Sequence, residues 1–233
     1  LEKDTNYEFI IGSETEGEGV SYTTSQTFHT PADAIDLTFY AFGDNEDAIS
    51  KNNGVYANVT IQGRSVDIQW KTLCLPFDID VENSPLSGAD VRAISGASID
   101  DFTGYCIIDC LTPVTKMNAN TPYLVRRTTP VSSPVFEGVT VTTDGWDKPC
   151  YLLDNNIRVS RMYRYYKADV DFDDCYFDNG MQSLSPYMTG SVLYAFDFYI
   201  WASSDLLDKT NVFVLNTGDP NDLVTGLTRT PSE

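Results

Sequence analysis

The sequence predicts an all-β protein, an antiparallel β-sandwich or jelly roll with few short helices. Three observations carry this. Apolar and polar residues alternate along many short segments, those segments are rich in Val, Ile, Thr, Tyr and Phe, and clusters of Gly, Asn, Asp and Pro separate them. Hydrophobic residues make up 42% and charged ones 21% of the 233 residues, which is enough apolar mass for a core.

The elements follow in chain order. Residues 35–42 place Ile35, Leu37, Phe39 and Ala41 on one face, and residues 55–62 do the same with Val55, Ala57, Val59 and Ile61. Strands over 123–127 and 135–142 are separated by Pro130 and Pro134. Residues 158–166 alternate Arg with Tyr. The longest apolar stretch, 191–201, predicts one strand with Val192, Tyr194, Phe196, Phe198 and Ile200 on one side. Leu193, Ala195, Asp197, Tyr199 and Trp201 fall on the other. A last strand covers 211–215. Residues 86–94 and 203–208 have room for one or two helical turns each. One extended module over 1–225, with 226–233 as a tail or linker, accounts for the pattern. Two β lobes meeting near residue 145 account for it equally well.

Charge and composition narrow the function. Fifteen Lys and Arg against 34 Asp and Glu give a net charge of −19, the wrong sign for a phosphate-backbone or anionic-membrane surface. No apolar run of about 18 residues is present, so membrane insertion by a helix is not expected. With His29 alone, no site needing two histidines can be built within this chain, and a Ser-His-Asp triad has one candidate base. His29 precedes Pro31 and reads as a surface residue ending a strand. Leu1-Glu2-Lys3 reads as the edge of a processed or excised piece. Of five cysteines, Cys74 reads as a small buried hydrophobe. Cys106, Cys110, Cys150 and Cys175 allow up to two bridges, Cys106–Cys110 and Cys150–Cys175 by proximity.

Four blocks between 55 and 141 resemble a known module. They are Ala57-Asn-Val-Thr-Ile-Gln62, Trp70-Lys-Thr-Leu-Cys-Leu-Pro-Phe77, Ala119-Asn-Thr-Pro-Tyr-Leu-Val-Arg126 and Phe136-Glu-Gly-Val-Thr-Val141. The order is similar to a recurrent β-rich module of secreted and cell-surface proteins of gut Bacteroidetes, over roughly 87 of 233 residues. The resemblance implies a secreted or cell-surface (extracytoplasmic) location, a multi-module parent and glycan-rich surroundings. It carries no catalytic motif.

Two constellations could carry chemistry. Asp169, Asp171 and Asp173 alternate, so an extended chain puts three carboxylates on one face, where a calcium ion would relieve their repulsion. The spacing is not an EF-hand, since position six is Asp174 and position twelve Gly180, and a solvated acidic face is the plain alternative. The second is aromatic. Tyrosine and tryptophan stack on the C–H faces of sugars while Asp and Arg bond the hydroxyls. Trp146, in a turn between two aspartates, together with Trp201, Tyr199, Tyr163, Tyr165, Arg161 and Asp197, forms the candidate binding set.

The sequence thus points to a non-catalytic extracellular binding module. Its expected partners are a polysaccharide or glycan and other modules of the same parent chain. No cofactor beyond calcium is suggested. An adhesin or structural spacer is the second reading and predicts buried tryptophans. A glycoside hydrolase is the third and predicts a cleft with two carboxylates about 5–10 Å apart.

Overall fold

The computed structural model describes residues 1–15, 19–39, 45–163, 166–167, 172–178, 183–187, 192–210 and 212–219. The protein is all-β: among these residues the only helices are two short ones, Asn45–Lys51 and Ser204–Leu207. None of them is long and apolar enough to cross a membrane.

The largest sheet has eight strands, in the order 96–99, 106–109, 213–216, 183–187, 172–178, 198–202, 157–161 and 150–152. A four-stranded sheet orders 112–113, 90–93, 123–126 and 71–73, and a three-stranded one orders 135–140, 56–62 and 35–38. Pairing is mostly antiparallel, with two exceptions. Strand 106–109 runs parallel to 213–216, and 35–38 runs parallel to 56–62.

The second parallel pair explains the first helix. Parallel neighbours need a crossover, and the Asn45–Lys51 helix lies on it. Glu46 and Asp47 sit in its first turn and Lys51 in its last, matching the helix dipole. Ile49 is its buried anchor. The Asn45 side chain accepts from Thr38 N at 2.9 Å and donates to Thr38 O at 2.8 Å, so one amide serves the end of strand 35–38 as a strand partner would. The helix expected within 86–94 does not form. Turns there lead into strand Asp90–Ala93.

Two apolar clusters hold the body. One gathers Leu37, Ile49, Ala57, Val59, Ile61, Phe77, Leu86, Val125 and Phe136, with Tyr163 and Phe196 joining from the distal part of the chain. The other gathers Trp70, Cys106, Ile108, Leu124, Ile157, Val159, Phe198, Ile200, Phe213 and Leu215. Both draw on residues before and after 145. Cys74, Cys106 and Cys150 carry free thiols, so neither bridge weighed from spacing forms.

Near the start of the chain two two-stranded ladders form instead of adding to these sheets. Asn6–Phe9 pairs with Gln26–His29, and Gly12–Thr15 with Gly19–Tyr22. The register moves by one residue between the two halves. Among the described residues of 1–28, none is buried.

Candidate functional site

The strand Phe198–Ala202 sets out one candidate surface. Phe198, Ile200 and Ala202 are buried, and the alternation turns Tyr199 and Trp201 to the opposite face. In the neighbouring strand Ile157 and Val159 are buried, so Arg158 and Ser160 share that opposite face. Register places Arg158 across from Trp201 and Ser160 across from Tyr199, with Tyr151 across from Arg158 one strand further. The Arg158 guanidinium lies 5.5 Å from the centre of the Trp201 ring. Tyr199, Arg158 and Trp201 are half-buried and Tyr151 is 54% exposed. The result is a row of two or three aromatic rings with one cation on the outward face of the eight-stranded sheet. Cys175 and Phe177 hold the next register positions, opposite Trp201 and Tyr199.

Asp197 does not join them. Residues 194–197 interrupt the expected strand with a turn, and Phe196 takes the left-handed φ of 69°. Phe196 and Ala195 both enter the first cluster. The turn is held by Phe196 N to Met162 O at 2.6 Å, Cys74 N to Phe196 O at 2.8 Å and Met162 N to Asp197 O at 2.9 Å. Asp197 then points inward. Arg64 Nη1 lies 3.0 Å from its Oδ1, and the Thr72 hydroxyl donates to the same oxygen at 2.8 Å. Arg64 also donates to Thr72 O and stacks on Phe39 at 4.6 Å. Burial pushes the Asp197 carboxyl above its ordinary value, outweighing Arg64 and Thr72, which pull it down.

Trp146, Arg161 and Tyr163 do come together, but around a buried amide. Asn120 Oδ1 accepts from the Trp146 indole at 3.0 Å and from the Tyr163 hydroxyl at 2.6 Å. Asn120 Nδ2 donates to Thr142 O at 3.0 Å and Asp144 O at 2.8 Å. All four polar valences of the side chain are used. Arg161 donates to Trp146 O and lies 5.0 Å from the Trp146 ring and 5.7 Å from that of Tyr163. Tyr163 is 1% exposed, and its hydroxyl also meets Cys74 Sγ at 3.5 Å. Desolvation pushes Cys74 up to about 12 and Tyr163 well above its usual value. Trp146 is therefore half-buried against the first cluster, not the open loop tryptophan its flanking aspartates suggested. Tyr165, Asp169 and Asp171 lie outside the described residues. Asp173 belongs to strand Phe172–Asp178.

Two clefts lie away from these groups. One of about 190 Å³ is lined by Asp78, Asp80 and Glu137. Asp78 there accepts from Ala119 N at 2.6 Å and Asp80 from Glu82 N at 3.1 Å, so both serve as turn carboxylates. The other, about 330 Å³, is lined by Ile68, Asp90, Arg126 and Arg127. Arg126 pairs with Asp90 and Asp219 and stacks on buried Trp70 at 4.3 Å. Among the described residues no group of three His, Cys, Asp or Glu side chains is placed to hold a metal.

The odd-even pattern of 157–161 places Arg158 outward, but only the strand register sets it beside Trp201. The sequence reading missed Asn120, for which no local signal exists, since its four partners lie 22 to 43 residues away in the chain. Comparison with protein-family models, curated proteins and solved structures finds no match for this chain.

Proposed function

We propose that this chain is a non-catalytic extracellular binding module whose ligand is a glycan, taken on the outward face around Trp201, Tyr199, Arg158 and Tyr151. The observation that carries it is the row itself. Adjacent strands lie about 4.8 Å apart, so rings on neighbouring strands offer a flat apolar strip of sugar-ring dimensions. Arg158 supplies fixed donors beside the strip for hydroxyl groups. The extracellular setting, with other modules of the parent chain as neighbours, rests on the resemblance of the blocks between 55 and 141 alone.

Titration calorimetry against neutral plant and host polysaccharides tests this. Trp201→Ala should weaken binding about tenfold or more, the scale of one lost ring contact, at an unchanged melting temperature. Trp146→Phe should leave affinity intact. Absence of binding to any glycan would remove this reading.

One observation favours a second reading, a structural spacer or adhesin. Trp70 is 6% exposed and Trp146 is committed to Asn120, so two of three tryptophans serve the interior. That reading gains if Trp201→Ala changes stability and no glycan affinity is found.

A further inference from the structure

Arg158 stands apart from the other arginines. Among the described residues Arg64, Arg92 and Arg126 pair with aspartates, and Arg127 and Arg161 donate to backbone carbonyls. The Arg158 guanidinium does neither. It lies 5.5 Å from the centre of the Trp201 ring, and its Nε is buried without a hydrogen-bond partner. A guanidinium carries several N–H donors and cannot shed its proton. Donors left unmet in a half-buried position cost stability unless something outside the chain accepts from them.

The chain does not lack carboxylates, with 34 Asp and Glu against 15 Lys and Arg. The register keeps them away. Tyr151 and Trp201 stand across from Arg158, and Tyr199 is diagonally opposite. Asn156 and Ser160 lie two positions before and after it in the chain. None of these is acidic, so the cation faces rings and uncharged groups on the outward side of the sheet.

We propose that the ligand itself supplies the missing carboxylate: the row takes an acidic sugar, with its carboxylate on Arg158 and its ring on Trp201 or Tyr199. This rests on the glycan reading and narrows it. A carboxylate accepts from both Nη groups of a guanidinium at once, in one plane, whereas a neutral hydroxyl takes a single bond and leaves the charge unanswered. The carboxylate of a hexuronate lies just outside the sugar ring, and the neighbouring strand is about 4.8 Å away, so a ring stacked on Trp201 carries its carboxylate toward Arg158. The net charge of −19 opposes polyanions at long range. That field is screened over about 8 Å at physiological salt, so for a lone carboxylate the direct contact decides. The ligand that fits is a mostly neutral glycan with single acidic units.

Titration calorimetry of the full chain tests this, with neutral oligosaccharides bearing one glucuronic, galacturonic or sialic acid, each beside its carboxyl-reduced form. At least one acidic form should bind about tenfold or more tighter than its reduced counterpart, the scale of one charge-assisted pair. That comparison needs no variant to fold. Arg158→Gln should bring the acidic form down to the reduced one. Arg158→Lys, which keeps the charge and loses the planar fork, should keep part of the difference. Both variants should melt with the parent, because Arg158 gives up no hydrogen bond. Equal affinity for acidic and reduced forms, a preference that survives Arg158→Gln, or binding only to sulfated or wholly neutral glycans overturns the inference and leaves the glycan reading standing. Binding to no glycan, acidic or neutral, removes both.

Discussion

Arg64 Nη1 lies 3.0 Å from Asp197 Oδ1, tying the turn after strand 56–62 to the turn that precedes strand 198–202. The Arg64 side chain is 4% exposed and that of Asp197 20%. The pair therefore sits where leaving either charge alone is costly. Arg64→Met should destabilise by about 3–5 kcal/mol in urea unfolding, because Asp197 loses its buried partner. A loss under about 1 kcal/mol would show that solvent reaches the carboxylate.

The same carboxyl carries a pH signature. Its folded value is raised above the ordinary 3.8, so the folded state holds the proton more tightly than the unfolded chain. Its contribution to stability is complete below about pH 4 and is lost as pH rises through the raised folded value. The stability difference between the parent and Asp197→Asn should thus move against the parent over that window. A difference that stays level from about pH 3 to pH 7 would contradict the raised value.

Asn120 has φ of 59° and four hydrogen bonds, two accepted and two donated. Asn120→Ala leaves the Trp146 indole, the Tyr163 hydroxyl and two carbonyls unpaired. A cost of about 3 kcal/mol or more is expected, since each unsatisfied buried group costs about 1–3 kcal/mol and relaxation recovers part. Fluorescence should report it as a red shift of Trp146 emission in the folded state. Asn120→Asp should be worse at neutral pH than at pH 4, where a protonated carboxyl can still donate.

Thiol labelling separates the cysteines. Burial pushes both Cys74 and Cys106 up to about 12, so at pH 8 about one molecule in ten thousand carries either thiolate. Cys150 is half-buried, and desolvation raises it too, but reagent can reach its sulfur. Mass spectrometry after alkylation should find Cys150 modified in the native protein and Cys74 and Cys106 only after unfolding. Native labelling of Cys74 would mean that the Asn120 cluster opens.

Gly138 shows where backbone freedom is required. Its φ is 59°, it lies in the irregularity between Phe136 and Val139, and a β-carbon there would run into the Tyr56 hydroxyl. Gly138→Ala should cost about 1–3 kcal/mol. Combining it with Tyr56→Phe should recover part of that loss, since the nearest clashing atom is gone while the left-handed φ remains.

Much of the body was legible from alternation alone. Leu37, Ala57, Val59, Ile61, Phe198 and Ile200 are buried as their spacing predicts, and the 203–208 turn is a helix capped by Ser203. Cys74 is interior, as its apolar neighbours predict. Period two states which side of a strand meets the core, and that is a local property. It could not state that the 191–201 run breaks at Phe196. The left-handed turn there is fixed by Met162 and Cys74, residues distant in the chain, and that break turns Asp197 off the outward face and onto Arg64 and Thr72. The Asn120 cluster likewise exists only where three loops converge, so Trp146 carries no mark of it in its own neighbourhood. Fold class and the inward face of most strands are local properties, because hydrophobic period is read residue by residue. Which aromatic rings stay outside is a property of the whole fold, because burial depends on what the rest of the chain brings against them.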